Sequence, residues 1–201
     1  MSNLTLIING GKELKGSIET SSGKNAPIAI LCASVLVHGK SILKDFSHVE
    51  EVERMMEALA SVGVKFEWLD RTTLSVDSSD SLQMDNIDKK ACASTRVSLL
   101  LFGALAAREK KYRLYKTGGC KLGSRTIRPH LYALQKFGVH VVSRSKYYEI
   151  RNSPLKAQDI VMYESGDTAT ENAVMAAVLA PGVSTIKFAS ANYMVQDLCY
   201  Y

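Results

Sequence analysis

The sequence predicts an α/β domain of three similar units, in which helices pack against small sheets. Two stretches, ERMMEALASVGVKFEWLDRTTLSVDSS from Glu53 and RPHLYALQKFGVHVVSRSKYYEIRNSP from Arg128, share one pattern. Each has a helical run that contains Ala-Leu, then a Gly-Val pair and two β-rich segments. Gly63 and Gly138 are 75 residues apart, and each fits the left-handed position that ends a helix. The 201 residues are enough for a sizeable core.

Each unit is predicted to run helix, strand, helix, hairpin. In the first unit the apolar helix is NAPIAILCASVLVHG, the strand is GKSILKDF, and the hairpin joins VKFEWLD to TTLSVD. In the second unit the corresponding pieces are STRVSLLLFGALAAREK, KKYRLYKT, and VHVVSRS with YYEIRN. The hairpin segments alternate in polarity and are rich in β-formers, which is typical of paired strands.

A third copy of the pattern begins with TATENAVMAAVLAPGVSTIKFAS and continues into ANYMVQDLCYY. Gly39 and Gly63 lie 24 residues apart in the first unit, so Gly182 predicts a closing glycine near position 206. The sequence stops at Tyr201, within the second helix of this unit. We therefore expect an incomplete third unit; a natural C-terminal helix with a divergent end is the alternative.

The charge indicates anionic partners. The net charge is +5 and the pI is about 9.0, which suits phosphorylated metabolites, nucleic acid or anionic membranes. Basic residues are not pooled, and neither zinc-finger spacing nor an aromatic RNA-binding signature is present, so we expect no nucleic acid. Apolar runs fall short of the ~18 residues of a membrane span, and the N-terminus does not resemble a signal peptide. We expect a cytoplasmic protein that does not associate with membranes.

The cysteines and histidines predict neither disulfides nor a metal site. The four cysteines, at 32, 92, 120 and 199, form no CxxC pair and should be free thiols in a reducing cytosol. Cys32 and Cys199 lie in apolar helical segments and are predicted to be buried. The four histidines have no metal-ligand spacing, and we predict no cofactor.

Two cations are predicted at helix starts. In TSSGKNAPIAIL, Lys24 and Asn25 lie where an apolar helix begins, so free N–H groups and the helix dipole would favour an anion there. A helix cap with a solvated lysine is the alternative. Arg96 has the equivalent place in the second unit, where it either meets a carboxylate or binds an anion.

The stretch YKTGGCKLGSRTIRPH places Cys120 among glycines and cations. The glycines would let the backbone approach a ligand, and Lys121 and Arg125 would favour a thiolate or bind a phosphate. A cysteine there serves as proton donor or nucleophile. The alternative is an ordinary cysteine beside a solvated basic turn.

Four pieces of the chain together resemble the UDP-N-acetylglucosamine enolpyruvyl transferases (1-carboxyvinyltransferases) of peptidoglycan synthesis. They are GKNAPIAILCASVL, STRVSLLLFGALAAR, GGCKLGSR followed by HLYALQKFGV, and TATENAVMAAVLA, in the family's order. The resemblance implies the N-terminal half of a two-domain fold of βαβαββ repeats, an inside-out α/β barrel pair. It places one domain over residues 1–201, with units near 17–80, 90–153 and 157–201. Residues 1–16 would be a leading strand, a candidate member of the second domain.

The resemblance also implies a reaction, in which enolpyruvyl passes from phosphoenolpyruvate to the 3-hydroxyl of UDP-N-acetylglucosamine and phosphate is released. Cys120 would donate the proton and is the residue that fosfomycin would label. The resemblance also assigns binding roles to the residues of this chain that match the family's motifs. Phosphoenolpyruvate would be held by Lys24, Asn25 and Arg125, and the UDP-sugar by Arg96, Arg125, Thr126, Ile127, Arg128, Pro129, Glu164, Ser165, Gly166 and Asp167.

Two of the segments that depart from the family pattern lie at the predicted nucleotide-sugar site, and a third is Ala191-Asn192-Tyr193, where the family often has Arg-Glu-Pro. The family usually has an acid where this chain has Arg128, and an arginine cannot accept a hydrogen bond from uracil. Glu164 and Asp167 stand where a diphosphate is expected, and acids there repel it. The catalytic aspartate and further arginines of the family's second domain are not in this sequence, so we expect that domain in cis or in trans and an inactive isolated chain. A non-catalytic binding module and a shikimate 3-phosphate enzyme are the alternatives.

Overall fold

The first unit has the predicted order of elements. The computed structural model describes residues 5–18, 20, 23–116 and 126–201. The elements of this unit are α1 (Asn25–Ala33), β1 (Lys40–Leu43), α2 (Glu50–Ser61), β2 (Lys65–Trp68) and β3 (Leu74–Asp77). The hairpin of β2 and β3 is antiparallel, and β1 pairs with the other edge of β3, which gives the order β1-β3-β2. Gly63 follows α2 with φ +108°, as a helix-ending glycine requires.

The second unit repeats this sheet. Its elements are α3 (Lys89–Ser94), a 3-10 helix (Arg96–Leu100), α4 (Leu101–Ala104), β4 (Lys111–Tyr115), α5 (Arg128–Phe137), β5 (Val139–Ser143) and β6 (Tyr147–Asn152). The three strands are antiparallel in the order β4-β6-β5, which matches the first sheet strand for strand. Gly138 ends α5 in the left-handed conformation, with φ +102°. The two hairpins and both glycine caps are therefore confirmed.

The third unit comprises β7 (Asp159–Val161), α6 (Asp167–Val178), β8 (Thr185–Lys187) and α7 (Tyr193–Tyr200). The predicted order of helix, strand and helix is present, and β7 pairs with β8 in parallel. The expectation for Cys199 was wrong, because α7 buries the face that carries Met194, Val195 and Leu198 and leaves Cys199 exposed. Cys32 is buried as predicted.

Residues 5–18 form neither helix nor strand with the described part of the chain. Their apolar side chains are exposed, among them Leu6, Ile8, Leu14 and Ile18. The assignment of residues 1–16 to a second domain and the unit boundaries therefore stay predictions.

One hydrophobic core runs through all three units, and α6 lies at its centre. This helix packs against α1, α4, α5 and α7. Seven of its twelve residues are buried, including three polar ones, Thr170, Glu171 and Asn172. Among the described residues, no helix has the length and apolar character that a membrane span needs.

The segment from Arg96 to Ala104, predicted as part of one continuous helix, is divided because the side chain of Asn172 enters its hydrogen-bond ladder. The amide Oδ1 accepts from the N–H of Gly103 at 2.7 Å, and Nδ2 donates to the carbonyl of Leu99 at 3.1 Å. These two backbone groups, four residues apart, are partners in a regular α-helix. The amide of Asn172 thus replaces a bond of the ladder, which is a known cause of helix distortion.

Gly103 is required at this junction. A Cβ at this position would lie 2.6 Å from the carbonyl oxygen of Asn172 and 2.8 Å from its Oδ1. The first contact is with backbone, which cannot turn aside as a flexible side chain would. Any larger residue therefore has to push α6 away from α4.

We predict that Gly103→Ala destabilises the protein by about 2–3 kcal/mol, because the added methyl group overpacks the junction of α4 with α6. Urea unfolding followed by circular dichroism measures this. Gly39→Ala is the matched control, since its nearest contact is a Val37 side-chain carbon at 3.8 Å. Equal stability of the two variants would contradict the proposed tight approach.

Candidate functional site

A cleft of about 470 Å³ opens where the starts of α1, α5 and α6 meet the 3-10 helix that begins at Arg96. Residues from separate segments of the sequence line it. Seven of the predicted site residues are brought together here: Asn25, Arg96, Thr126, Pro129, Glu164, Gly166 and Asp167. The cleft is therefore the candidate functional site.

Arg96 provides the cationic side of the cleft. Its Nη2 donates to the carbonyl of Thr126 at 3.0 Å, which ties the 3-10 helix to the segment that leads into α5. Thr95 caps the 3-10 helix by accepting from the N–H of Val97 at 3.4 Å. The arginine therefore begins a helix, as predicted, although that helix is 3-10. A guanidinium held in this way is suited to a phosphate or a carboxylate.

Lys24 lies at the predicted place, just before α1, but does not line the cleft. Its Nζ contacts both carboxylate oxygens of Glu51 at 2.7 Å. Both side chains are well exposed, at 50% and 39%. A surface pair of this kind contributes little to stability, so an anionic ligand can displace Glu51 at small cost.

The start of α6 forms an acidic side. Asp167 accepts from the hydroxyl of Ser190 at 2.5 Å, and Thr170 donates to the carbonyl of Gly166 at 2.8 Å. Thr170 also accepts from the backbone N–H of Ser190 at 3.0 Å. These bonds hold the helix start against the segment before α7. A Cβ on Gly166 would come 3.2 Å from a carboxylate oxygen of Glu164, which places that carboxylate beside the helix start.

The other predicted residues lie beside the cleft or outside the described residues. Ile127 packs against the hydrophobic core, and Ser165 is exposed. Arg128 is exposed and begins α5, where its N–H donates to the hydroxyl of Thr126 at 3.1 Å. Cys120 and Arg125 lie outside the described residues, so their predicted roles stay predictions.

His130 lines the cleft and was not predicted as a site residue. The residue is 4% exposed, and its Nδ1 lies 2.9 Å from the amide Nδ2 of Asn172. Since an amide nitrogen only donates, Nδ1 accepts and the ring proton lies on Nε2, 3.4 Å from the hydroxyl of Thr168. Burial and the nearby charge of Arg96 lower the pKa of His130 to about 4. The imidazole is therefore neutral at physiological pH.

Glu171 is the second lining residue that sequence reasoning missed. The residue is 1% exposed, and its Oε1 is buried without a hydrogen-bond partner in the described structure. Burial, with a smaller contribution from the charge of Asp167, raises the pKa of Glu171 to about 7. Its spacing of four residues from Asp167 puts both acids on one helix face, a sequence signal that could have identified it.

Within the ranges that the structure describes, no three histidine, cysteine, aspartate or glutamate side chains group closely enough to hold a metal ion. The arrangement instead offers a fixed guanidinium, a neutral imidazole, backbone groups at a helix start and a buried carboxyl group. Such a set binds an organic anion that also carries hydroxyl or amide groups.

Comparison with known proteins places the chain among carboxyvinyl transferases. Residues 8–200 match the family model described as EPSP synthase (3-phosphoshikimate 1-carboxyvinyltransferase). The UDP-N-acetylglucosamine 1-carboxyvinyltransferase of Bradyrhizobium diazoefficiens is 34% identical over 201 residues, which are 100% of this chain and 46% of the relative. The enzyme of that name from Helicobacter pylori strain P12 is 34% identical over 197 residues, 98% of this chain and 46% of the relative. The predicted resemblance is confirmed, and the chain spans about half the length of these curated relatives.

Solved structures support the fold. The enolpyruvyl transferase NikO from Streptomyces tendae aligns with a TM-score of 0.79 at 18% identity, over 95% of this chain and 45% of that one. EPSP synthase from Acinetobacter baumannii aligns with a TM-score of 0.69 at 14% identity, over 93% and 43%. At these identities the likeness concerns the fold alone. The α/β class with small sheets is confirmed, and the sheets of the described residues do not close into a barrel.

We predict that Glu171→Gln changes the pH dependence of stability. The pKa of Glu171 is about 7 in the folded chain and 4.5 in the unfolded chain, so the folded chain binds the proton more tightly. Protonation of Glu171 therefore raises the free energy of unfolding as the pH falls from 7 to 4.5. His130 has the opposite effect between 6.5 and about 4, because the unfolded chain is protonated first. Each effect amounts to about 3 kcal/mol, at 1.36 kcal/mol per pKa unit.

The two slopes oppose each other in the natural chain between pH 4.5 and 6.5, and Glu171→Gln removes one of them. The gain in unfolding free energy of the variant over the parent should therefore be largest near pH 8 and disappear toward pH 4.5. Urea unfolding at a series of pH values measures it, with the exposed Glu67→Gln as control. Parallel profiles for Glu171→Gln and its parent would show that the buried carboxyl titrates normally.

Proposed function

The chain belongs to the EPSP synthase family of 1-carboxyvinyl transferases, and we propose that it forms one side of an enolpyruvyl transferase active site. In this proposal the enolpyruvyl group of phosphoenolpyruvate passes to the 3-hydroxyl of UDP-N-acetylglucosamine, and phosphate leaves. This is the first committed step of peptidoglycan synthesis, a cytoplasmic reaction in cell-wall formation. The acceptor is proposed from the relatives of that name, of which this chain spans about half.

The observation that carries this proposal is the convergence at the cleft. Asn25, Arg96, Thr126 and Gly166 come from four different segments, yet they line the same space. The sequence motifs had independently predicted each of these four residues to bind a substrate. A site for two phosphorylated substrates needs several fixed donors, and a guanidinium with nearby helix starts supplies them.

The chemistry assigned to this side is binding and proton transfer. We propose that Lys24, Asn25 and Arg125 hold phosphoenolpyruvate and that Arg96 holds a phosphate of the nucleotide sugar. Cys120 donates a proton to the methylene carbon as the acceptor hydroxyl adds to the adjacent carbon, and the hydroxyl proton would pass to the aspartate of the second domain. A proton of the methyl group so formed then returns to the Cys120 thiolate as phosphate leaves, which restores the double bond. The second domain, supplied in cis or in trans, would complete the site.

Shikimate 3-phosphate is the second candidate acceptor, since the matching family model has the description of the enzyme that uses it. The two acceptors differ in the group that the cleft must accommodate. Shikimate 3-phosphate is a small carboxylic acid with one phosphate, whereas the nucleotide sugar adds a base, a second sugar and amide donors. The relatives that cover the whole chain favour the nucleotide sugar.

We predict that the 201-residue chain binds UDP-N-acetylglucosamine weakly and releases no phosphate when phosphoenolpyruvate is added. Isothermal titration calorimetry and a phosphate-release assay measure the two properties. Arg96→Gln should weaken binding about tenfold, because a hydrogen bond to a charged group contributes about 1.5–3 kcal/mol. Lys136→Gln is the control, since Lys136 lies in α5 over the ring of Tyr132, and neither residue lines the cleft.

Steady phosphate release by the isolated chain would contradict the need for a second domain. Tighter binding of shikimate 3-phosphate than of UDP-N-acetylglucosamine would favour the second candidate. Equal affinities of Arg96→Gln and its parent would remove Arg96 from the binding site.

We also predict that the cysteines differ in their reaction with iodoacetamide at pH 7. Burial raises the pKa of Cys92 to about 12 and raises that of Cys32 further, so both should stay unmodified in the folded chain. Cys199 is exposed and should react. Cys120 should react faster than Cys199, because neighbouring cations favour a thiolate.

Peptide mass spectrometry identifies each modified cysteine, and Cys199 is the internal control. Phosphoenolpyruvate with UDP-N-acetylglucosamine should slow modification of Cys120 and leave Cys199 unaffected. If the substrates protect both thiols equally or neither, Cys120 does not belong to the site.

A further inference from the structure

Glu171 has properties that packing alone does not account for. The residue belongs to the central helix α6 and lines the cleft, and it is 1% exposed. One carboxylate oxygen, Oε1, is buried without a hydrogen-bond partner in the described part of the chain. Most buried polar atoms in folded proteins are paired, so an unpaired carboxylate oxygen on a residue that lines a cleft calls for an explanation.

Among the described residues, the surroundings of Glu171 make its ionised form less favourable. Its own helix places Asp167 one turn away, and the charge of this acid raises the pKa of Glu171 further. The thiol of Cys32 in α1 lies close enough to Glu171 for their charges to interact. The neutral imidazole of His130 in α5 also lines the cleft. Among the described residues, Arg96 and Glu164 are further charged groups that line the cleft. An ionised carboxyl in this position is costly to the fold.

By general principle, an apolar residue of the same volume should leave the core at least as stable. Replacing buried charged groups by well-packed apolar residues is often neutral or stabilising. Groups that cost stability are typical of functional sites. The position of Glu171 is therefore better explained by a ligand than by the needs of the fold.

The chemistry of the two proposed substrates indicates which of them Glu171 contacts. At neutral pH phosphoenolpyruvate offers only acceptor oxygens and negative charge, which an ionised carboxylate repels. A nucleotide sugar offers hydroxyl and amide N–H donors, which a carboxylate accepts. A charge-assisted bond of this kind in a shielded site is among the stronger hydrogen bonds.

We propose that Glu171 is a specificity-determining residue of the cleft, whose carboxylate accepts a hydrogen bond from a hydroxyl or amide N–H of the acceptor substrate. The inference rests on the proposed function, since it assigns the acceptor to this cleft. The inference also explains why acids stand at a helix start in a site for anionic ligands. The acids at the start of α6 would bind the donor groups of the acceptor, while its phosphates lie toward Arg96.

The test is calorimetric titration of the 201-residue chain with UDP-N-acetylglucosamine at pH 6 and pH 8. The ligand does not change its charge over this range. Because the ionised carboxylate is the stronger acceptor and is about a tenth populated at pH 6, affinity should be higher at pH 8, by up to about tenfold. His130 titrates near 4 and does not contribute.

Two variants separate a binding role from a structural one. Glu171→Met removes the acceptor and should weaken binding at pH 8 about tenfold or more, with no fall in melting temperature. Glu171→Gln keeps an accepting oxygen, so it should bind better than Glu171→Met and lose the difference between pH 6 and pH 8. Glu67→Gln, in β2 and outside the cleft, should retain the pH dependence of the parent.

The outcomes distinguish this inference from the proposed function. If the parent binds and Glu171→Met binds equally well, the inference is wrong and the proposed function stands. A parallel loss of affinity and melting temperature in both variants would assign Glu171 a structural role and overturn the inference. Absence of binding by the parent would contradict the proposed function, and the inference would fall with it.

Discussion

The side-chain amide of Asn172 joins three parts of the chain and fixes the geometry of the cleft. It takes the place of the backbone bond between Leu99 and Gly103, and its nitrogen also donates to the ring of His130. The amide is fully buried, so losing any of these partners leaves an unsatisfied polar group in the core. Since the 3-10 helix, α5 and α6 all contribute to the cleft, one side chain sets the distance between its walls.

This junction also explains the protonation states in the cleft. Because Asn172 donates to Nδ1 of His130, the imidazole is held as one neutral tautomer beside Arg96. Glu171, next to Asn172 on α6, is carried into the same buried region. Among the described residues, the cleft thus combines the guanidinium of Arg96 with a buried neutral imidazole and a buried carboxyl group. A site with these properties selects a ligand by the positions of its donors and anions, not by net charge alone.

Local features of the fold could be predicted from the sequence, and long-range features could not. Gly63 and Gly138 are confirmed as helix ends because their signal lies within a few residues. The start of α1 at Asn25 and the hairpins are likewise local. The division of the helix after Arg96 depends on Asn172, about 70 residues away, which no periodicity reveals. Glu171 was missed because its neighbours Thr170 and Asn172 are also polar, so its burial follows from packing and not from its segment.

The proposed function depends on binding of the acceptor substrate in the cleft beside Arg96. The most direct measurement is a titration of the ¹⁵N-labelled chain with UDP-N-acetylglucosamine, followed by the amide shifts in two-dimensional NMR spectra. We predict saturable shifts for Arg96, Thr126 and Gly166, with residues of the first sheet unaffected. Shifts confined to the separate cleft between α1 and α7, near Tyr193 and Tyr201, or no saturable shifts at all, would contradict it.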